Sequence, residues 1–372
     1  MKLVLFSDLH LDSQFAWLGS RDVGRRRREA LRRALGRIVE LTHEEGADAL
    51  LCGGDLYEHE RFTPDTAAFL QHTFASLHPR RVFIAPGNHD WYGPRSLYRR
   101  VSWSDNVRIF SGGRLEPFPL ADGITLWGAA HQAPAGTGDF LRDFRVDRRG
   151  VHVALFHGSE TSGLWEQGSD KHPHAPFEAA ALERAGLQHA FLGHYHVPRD
   201  AERFTYPGNP EPLAFGETGP RGVVVIEVQA DGTIARRRVA VATTRLHDIG
   251  VDVTGCRSRG EVGERVLEAL RGLDGVARVT LGGELSSDVE LVTGDLSELG
   301  RSACGDGAVE AVMLRFGDLR AGYDLEAIRV EPTVRGQFVR DVFEAELAED
   351  ERRRVLVTGL RALDGRDDLE VP

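Results

Sequence analysis

Short, largely apolar runs recur along the first half of the chain, each closed by polar or glycine-rich residues. They are Leu3–Phe6, Ala49–Cys52, Val82–Ala85, Ile124–Trp127, Val151–Phe156 and Ala190–Leu192. Runs this short and this apolar predict buried strands. Helical spacing fills several of the gaps. Between Arg25 and Glu45, Leu31, Leu35, Ile38 and Leu41 fall on one face. Thr63-Pro64 reads as a capping residue followed by proline at the first helical position, opening a helix that carries Ala68, Phe69 and Leu77. Strand–helix alternation of this kind predicts a layered α/β domain.

After Tyr206 the pattern changes. Gly222–Val228 and Ile234–Val241 read as paired strands joined by the turn Ala230-Asp231-Gly232-Thr233. The first domain is expected to finish near Arg245, giving a domain over 1–245. A smaller α/β unit over 246–330 follows. Its expected strands are Val251–Val253, Ala277–Leu281, Val289–Val292 and Ala311–Phe316, and its helices Glu261–Leu273 and Leu296–Ala303. The last segment, 331–372, is charged and helical in character. There Phe338, Val342 and Ala345, at intervals of four and three, predict an apolar helix face that Phe343 and Leu347 widen.

Composition narrows the function classes. At 372 residues, two domains are the default. The net charge of −11 lacks the basic signature of non-specific nucleic-acid binding, so any such contact must be local. The cysteines Cys52, Cys256 and Cys304 are odd in number and widely spaced, which excludes a disulfide framework and fits a reducing cytoplasm. Five apolar residues before Ser7-Asp8 are too few for a secretion signal, and no run is long enough to span a membrane.

Metal-binding residue types follow five of the predicted strands: Asp8-Leu9-His10, Gly53-Gly54-Asp55, Gly87-Asn88-His89-Asp90, His157-Gly158 and Gly193-His194-Tyr195-His196. Ligands of open α/β sheets bind beyond the carboxyl ends of the strands, so these groups are expected to converge. Mixed carboxylate and imidazole donors suit manganese, iron or zinc. A shared carboxylate can hold two cations about 3.5–4 Å apart, clamping both oxygens of an in-line phosphoryl displacement. In an extended segment, the alternation in Asp8-Leu9-His10 and in His194-Tyr195-His196 sends both ligands to one side. One such cluster alone would be an ordinary turn; five in series point to a two-metal phosphoesterase.

These clusters resemble the signature of the calcineurin-like metallophosphoesterase superfamily. That resemblance implies a four-layer αββα sandwich with a smaller α/β capping domain and a C-terminal helical segment. It implies that Asp8, His10, Asp55 and His196 hold one metal, and Asp55, Asn88, His157 and His194 the other. The ions would be two divalent cations, Mn2+ first, with Mg2+, Fe2+ or Zn2+ as alternatives. His89 would protonate the leaving group, oriented by Asp90. Ser7-Asp8-Leu9-His10-Leu11-Asp12-Ser13, Gly54-Asp55-Leu56-Tyr57, Tyr206-Pro207-Gly208-Asn209-Pro210 and Phe215-Gly216-Glu217 resemble SbcD-like DNA repair exonucleases. This branch implies a Mn2+-dependent DNA nuclease, 3′ to 5′ exonuclease with endonuclease activity. It would be a homodimer working with an SbcC-type SMC-like coiled-coil ATPase; the apolar face of the C-terminal helix reads equally as packing on its own domain and as the docking site for that ATPase. One stretch departs from the branch. Pro210-Glu211-Pro212-Leu213-Ala214 stands where some relatives carry polar and basic residues, which argues against tight DNA binding by the isolated protein.

Outside the clusters, Arg95 and Arg99, with Arg100, follow the Asn88-His89 loop and are placed to meet a substrate. Trp91 and Tyr92 either stack on a base or pack. The run Arg25–Arg28 with Arg32, Arg33 and Arg37 reads first as a solvated helix face and second as a phosphate-tracking surface. His131, His172 and His174 read as loop residues, and Cys52 as core. The competing functions are a small-molecule or cyclic-nucleotide phosphoesterase, which needs no second domain, and a non-catalytic module, which would lack some ligands.

Overall fold

The structure is a computed structural model that describes residues 1–18, 20–161, 173–286, 289, 291, 296, 299–300 and 309–365. The chain divides into two compact units, Met1–Leu246 and His247–Pro372.

Two six-stranded sheets form the first unit. The first contains β1 (Lys2–Phe6), β2 (Ala49–Cys52), β3 (Arg81–Ile84), β4 (Val107–Ile109), β11 (Gly222–Val228) and β12 (Ile234–Ala240), ordered β12-β11-β1-β2-β3-β4. Neighbours from β1 to β4 run parallel, while β11 and β12 add antiparallel. The second sheet contains β5 (Glu116–Ala121), β6 (Ile124–Gly128), β7 (Val151–His157), β8 (His189–Gly193), β9 (Arg199–Asp200) and β10 (Phe204–Tyr206), ordered β5-β6-β7-β8-β10-β9. Here β6, β7, β8 and β10 are parallel neighbours.

The sheets face each other. Leu3, Leu5, Leu51 and Phe83 of one pack with Leu126, Val153, Leu155 and Phe191 of the other in a single buried cluster. The alternate residues Val4, Phe6, Leu50, Cys52, Val82 and Ile84 are also fully buried, so the first sheet is covered on both faces. Helices flank the sheets in an αββα arrangement. They include α1 (Arg21–Glu44), capped by Ser20, and α2 (Pro64–Ala75), whose Thr63 and Thr66 form a reciprocal capping box. Short α3 (Leu97–Arg100) and α4 (Ala179–Ala185) follow β3 and β7. β4, β5, β9 and β10 escape the sequence pattern because they are short, or alternate half-buried with exposed residues.

The second unit holds a three-stranded sheet, β13 (Leu246–Asp252), β14 (Gly275–Ser286) and β15 (Val309–Gly322), in that order. Helix α5 (Arg259–Leu270) lies between β13 and β14 in sequence and buries Val262, Val266 and Leu270 with Val253, Val279 and Leu281. Strands β14 and β15 pair in parallel and run well beyond their predicted apolar cores. Irregularities at Gly275/Val276 and Leu281/Gly283 let the ladder continue into polar sequence. The predicted strand Val289–Val292 and helix Leu296–Ala303 lie largely outside the described residues.

Three helices close the chain: α6 (Leu325–Arg329), α7 (Val334–Glu344) and α8 (Glu349–Leu363). The predicted face of Phe338, Val342 and Ala345 needs correcting. Ala345 is extended (φ −71°, ψ 142°) and ends α7, so the chain doubles back. Val339 and Val342 are buried with Leu356 and Leu360 of α8, and Phe338 packs partly against them. No glycine or proline marks the break; tertiary burial outweighs local helix propensity. Of the two readings of this stripe, packing within its own unit accounts for Val339 and Val342. Leu360, fully buried, carries the clearest test. Leu360→Ala is expected to destabilise the hairpin by about 2–5 kcal/mol, measured as faster amide exchange along α7. Wild-type exchange rates would show that other contacts hold it.

Candidate metal centre

Parallel β1, β2 and β3 in one sheet and β7 and β8 in the other end at the same place, and their following loops carry the five clusters. The backbone pays local strain there. Asp8 (φ 56°), His10 (φ 50°), Asp55 (φ 51°) and His194 (φ 112°) all have positive φ, which costs a non-glycine residue about 1–3 kcal/mol. The expected extended alternation is thus replaced by left-handed turns. Hydrogen bonds from Asp8 N to Gly54 O (2.9 Å) and from His10 N to Asp55 O (2.9 Å) lock the first loop to the second. Close approach explains two of the glycines. A Cβ on Gly87 would lie 2.3 Å from Asp55 Oδ1, and one on Gly193 would lie 2.2 Å from Gly53 O.

All seven expected ligands come together. The donor atoms of Asp8, His10 and His196 lie within 4.8 Å of one another, as do those of Asp8, Asp55 and His157. Asp55 Oδ2 is 3.2 Å from His157 Nε2 and 3.7 Å from His10 Nε2. Asn88 Oδ1 is 3.0 Å from His157 Nε2, and the ring of His194 is 5.2 Å from that of His157. His10, Asp55, Asn88, His89, His194 and His196 line one open cavity of about 340 Å³, while Asp8 and His157 are fully buried beneath it.

Three imidazoles are held the same way. Nδ1 of His10 contacts Glu58 Oε1 at 2.8 Å, Nδ1 of His157 contacts Gly53 O at 2.9 Å, and Nδ1 of His196 contacts Glu217 Oε1 at 2.6 Å. A carbonyl or carboxylate only accepts, so each Nδ1 carries the proton and each Nε2 is left for the cluster. His10 Nε2 is buried with no hydrogen-bond partner. A neutral His157 would aim its Nε2 lone pair at two acceptor oxygens, a clash that only a proton or a cation relieves. Oxygen and imidazole donors with this unmet need fit divalent cations.

The electrostatics agree. Burial penalises the charge on Asp55, yet His157, His10 and His89 hold its carboxyl well below the usual range. Burial also opposes the charged form of His157, but Asp55 outweighs it and raises the imidazole to about 9. Likewise burial works against protonated His89, while the hydrogen bond to Glu58 and the charge of Asp55 lift it to about 9. Glu58 itself falls to about 2 against its burial, through its bonds to His10 and His89.

Asp90 does not orient His89. Its Oδ1 accepts from Asp55 N (3.1 Å) and Gly87 N (2.6 Å), and its Oδ2 from Leu56 N (2.8 Å) and the Tyr98 hydroxyl. All its acceptor sites face backbone and tyrosine, so it is a loop clamp. Burial and the Asp55 charge raise it to about 6. Glu58 Oε2, 3.0 Å from His89 Nδ1, occupies the orienting place. Sequence reasoning missed Glu58, although it stands three residues after Asp55 and its type is right for the task. Glu217 was noticed only for its resemblance.

Other expectations shift too. His174 lines the cavity, its ring 5.3 Å from that of His194, rather than being a bystander. His131 is fully buried with Nε2 2.8 Å from His157 O, and burial lowers its imidazole to about 3. Trp91 stacks on His59 at 3.7 Å, so one ring face is already covered. Arg99 lies over the Tyr92 ring at 5.8 Å. Arg95 and Arg100 line a groove of about 830 Å³ with His59, Phe62 and Trp91.

Residues 1–198 match the family model described as calcineurin-like phosphoesterase. The chain belongs to this family. Members use divalent metal ions and hydrolyse phosphoesters. The chain is 27% identical over 271 residues to the uncharacterized metallophosphoesterase YhaO of Bacillus subtilis, an alignment covering 68% of this chain and 63% of that protein. It is 25% identical over 309 residues to the DNA double-strand break repair protein Mre11 of Methanopyrus kandleri, covering 72% and 62%. It thus spans less than two thirds of either relative's length. A crystal structure of TT1561 from Thermus thermophilus is similar at 12% identity and a TM-score of 0.38, covering 64% of this chain and 98% of that one, a likeness too low to carry an argument. Among the described residues no helix is long and apolar enough to cross a membrane.

The raised histidines give the site a pH signature. An imidazole near 9 in the fold and about 6.5 unfolded contributes stability that is complete below about pH 6.5 and lost as pH rises through about 9. Buried His157 dominates, since His89 is 46% exposed and screened by solvent. Chelated protein is therefore expected to lose stability between about pH 6.5 and 9. With saturating Mn2+ the decline should vanish, because a ligand imidazole is already deprotonated. Urea titrations in both states decide it; chelated protein that gains stability over that window contradicts the assignment.

Proposed function

We propose that this chain is a two-metal phosphodiesterase whose substrate is DNA. Asp8, His10, Asp55 and His196 would hold one divalent cation, and Asp55, Asn88, His157 and His194 the other, with Mn2+ the first choice. The observation that carries the reading is the buried carboxylate–imidazole floor, with Nε2 atoms left free for the cluster and His89 at the rim of the same cavity. When bound, the two cations supply Lewis acidity to the phosphate oxygens and the attacking water.

The protein's own part is positioning and proton delivery. Glu58 accepts from Nδ1 of His89 and, with Asp55, favours the doubly protonated ring, so that Nε2 also carries a proton for the leaving oxygen. Asp90 fixes the backbone of Gly87, Asp55 and Leu56, which keeps the Asn88-His89 and Asp55 loops in register.

DNA is favoured over a small phosphoester by a second groove, separate from the metal cavity, whose His59 donates its backbone N–H to the carbonyl of His89 (2.9 Å) and whose lining includes Arg95 and Arg100. Arg95, Arg99 and Arg100 form no side-chain hydrogen bond or ion pair with a described residue, whereas arginines elsewhere, such as Arg32, Arg37 and Arg238, are paired. Unpaired guanidinium groups beside an aromatic pair suit a strand's phosphates and bases. The relative from Methanopyrus kandleri is by name a DNA double-strand break repair protein. With a net charge of −11, most of the affinity for DNA would come from the assembly. The assembly that the resemblance implies would be a homodimer in the cytoplasm with an SbcC-type SMC-like ATPase, docked on what the C-terminal helices leave exposed, such as Val334, Val355 and Leu363.

Purified protein with Mn2+ is expected to cut labelled linear and hairpin DNA, 3′ to 5′ at ends, with activity raised by an ATPase encoded beside it. Strong turnover of small phosphoesters with none on linear, hairpin or circular DNA, ATPase included, would favour the small-molecule reading. His89→Ala should retain both ions and lose roughly 10²–10⁴-fold in turnover. Glu58→Gln should move the alkaline limb of the pH–rate profile to lower pH, since it removes the carboxylate that raises His89. An unmoved limb would show that another group donates the proton.

A further inference from the structure

The loop after β10 is organised around one carboxylate. Glu217 Oε1 accepts from His196 Nδ1 at 2.6 Å, and Oε2 accepts from Asn209 Nδ2 (2.6 Å), Leu213 N (2.6 Å) and Ala214 N (3.3 Å). An ionised carboxylate has about four acceptor sites, so its capacity is filled. Arg221 adds a second strap, donating to the carbonyl of His196 and to Asn209 Oδ1 at 2.7 Å.

The loop is fixed to α1 by an ion pair without solvent. Arg27 and Glu211 are both fully buried and meet at 2.8 Å. The other terminal nitrogen of Arg27 donates to Pro212 O at 2.5 Å, and the second oxygen of Glu211 accepts from Thr243 N at 2.7 Å. This corrects the reading of the arginine run as a solvated face. Arg25 and Arg26 are exposed, but Arg27, four residues after buried Val23, points inward. The Pro210–Ala214 stretch that lacks the basic residues of some relatives carries, in Glu211, the partner of this arginine. A desolvated pair of this kind adds little net stability, because the cost of burying both charges offsets their attraction.

We propose that Glu217 is the positioning residue for His196, fixing its Nδ1 proton and ring so that Nε2 faces Asp8 and His10, and that the Arg27–Glu211 pair anchors the loop presenting Glu217. The inference rests on the two-metal reading and assigns the affinity of one ion, the one His196 would bind, to this loop. Outer carboxylates on a ligand histidine typically set metal affinity by about 10–100-fold.

The test uses the full chain, stripped with chelator and titrated with Mn2+, and separately with Co2+ followed by its visible spectrum. Thermal unfolding without metal confirms that each variant folds. Glu217→Ala is expected to weaken one of two ions by roughly 10–100-fold, leave the other nearly unchanged and alter the Co2+ spectrum. Glu217→Gln, isosteric but with one acceptor oxygen, should weaken the same ion less. Wild-type affinities for both ions in the folded variants would overturn the inference, as would equal weakening of both. Loss of fold in the isosteric variant would make Glu217 scaffold and overturn it as well. A wild-type chain binding fewer than two ions would instead sink the two-metal reading itself.

Discussion

Three carboxylates, Asp8, Asp55 and Asp90, lie at 0%, 2% and 0% exposure in adjoining loops, and the site is built around neutralising them. Each charge removed from water costs several kcal/mol unless it is met by donors or opposite charge. Asp90 is met by three backbone amides and the Tyr98 hydroxyl. Asp8 has Ser7 and the amide of His194. Asp55 has the amide of His89 at 2.8 Å and the imidazole of His157, whose protonated form it favours against burial. The raised pKa of His157, the positive φ at Asp8, His10, Asp55 and His194 and the crowded glycines all accompany the concentration of this charge in a small buried space.

The sheets make that concentration possible. Two sets of parallel strands end side by side, so loops far apart in sequence share one floor, and the inter-sheet core of Leu3, Leu51, Val153 and Phe191 keeps their ends level. The imidazoles are then oriented from behind by acceptors on two segments, the loop after β2 (Gly53 and Glu58) and the loop after β10 (Glu217). Position comes from the strands, and tautomer from the acceptors.

Much of this was legible in the sequence, for identifiable reasons. β2 matches its apolar run residue for residue because a strand buried on both faces has no polar alternation to blur its ends. The convergence of the seven expected ligands was legible because glycine-flanked Asp, Asn and His after such strands have few structural uses. The supporting residues were harder to read. Glu58 and Glu217 look like ordinary surface glutamates until their histidine partners are placed, and Arg27 is indistinguishable in sequence from its exposed neighbours. The α7–α8 break has no glycine or proline, so only the burial of Val339 and Val342 against Leu356 and Leu360 reveals it. The family resemblance implies Asp90 as the orienting partner of His89, but in this chain its carboxylate turns toward the backbone amides of Asp55, Leu56 and Gly87.

The central claim is that one carboxylate, Asp55, joins two cations in a single centre. Its most direct test is anomalous diffraction at the manganese edge from crystals soaked in Mn2+. The account predicts two peaks about 4 Å apart, both in contact with Asp55, one bounded by His10 and His196 and the other by His157 and His194. A single peak, or two peaks of which only one touches Asp55, would contradict it.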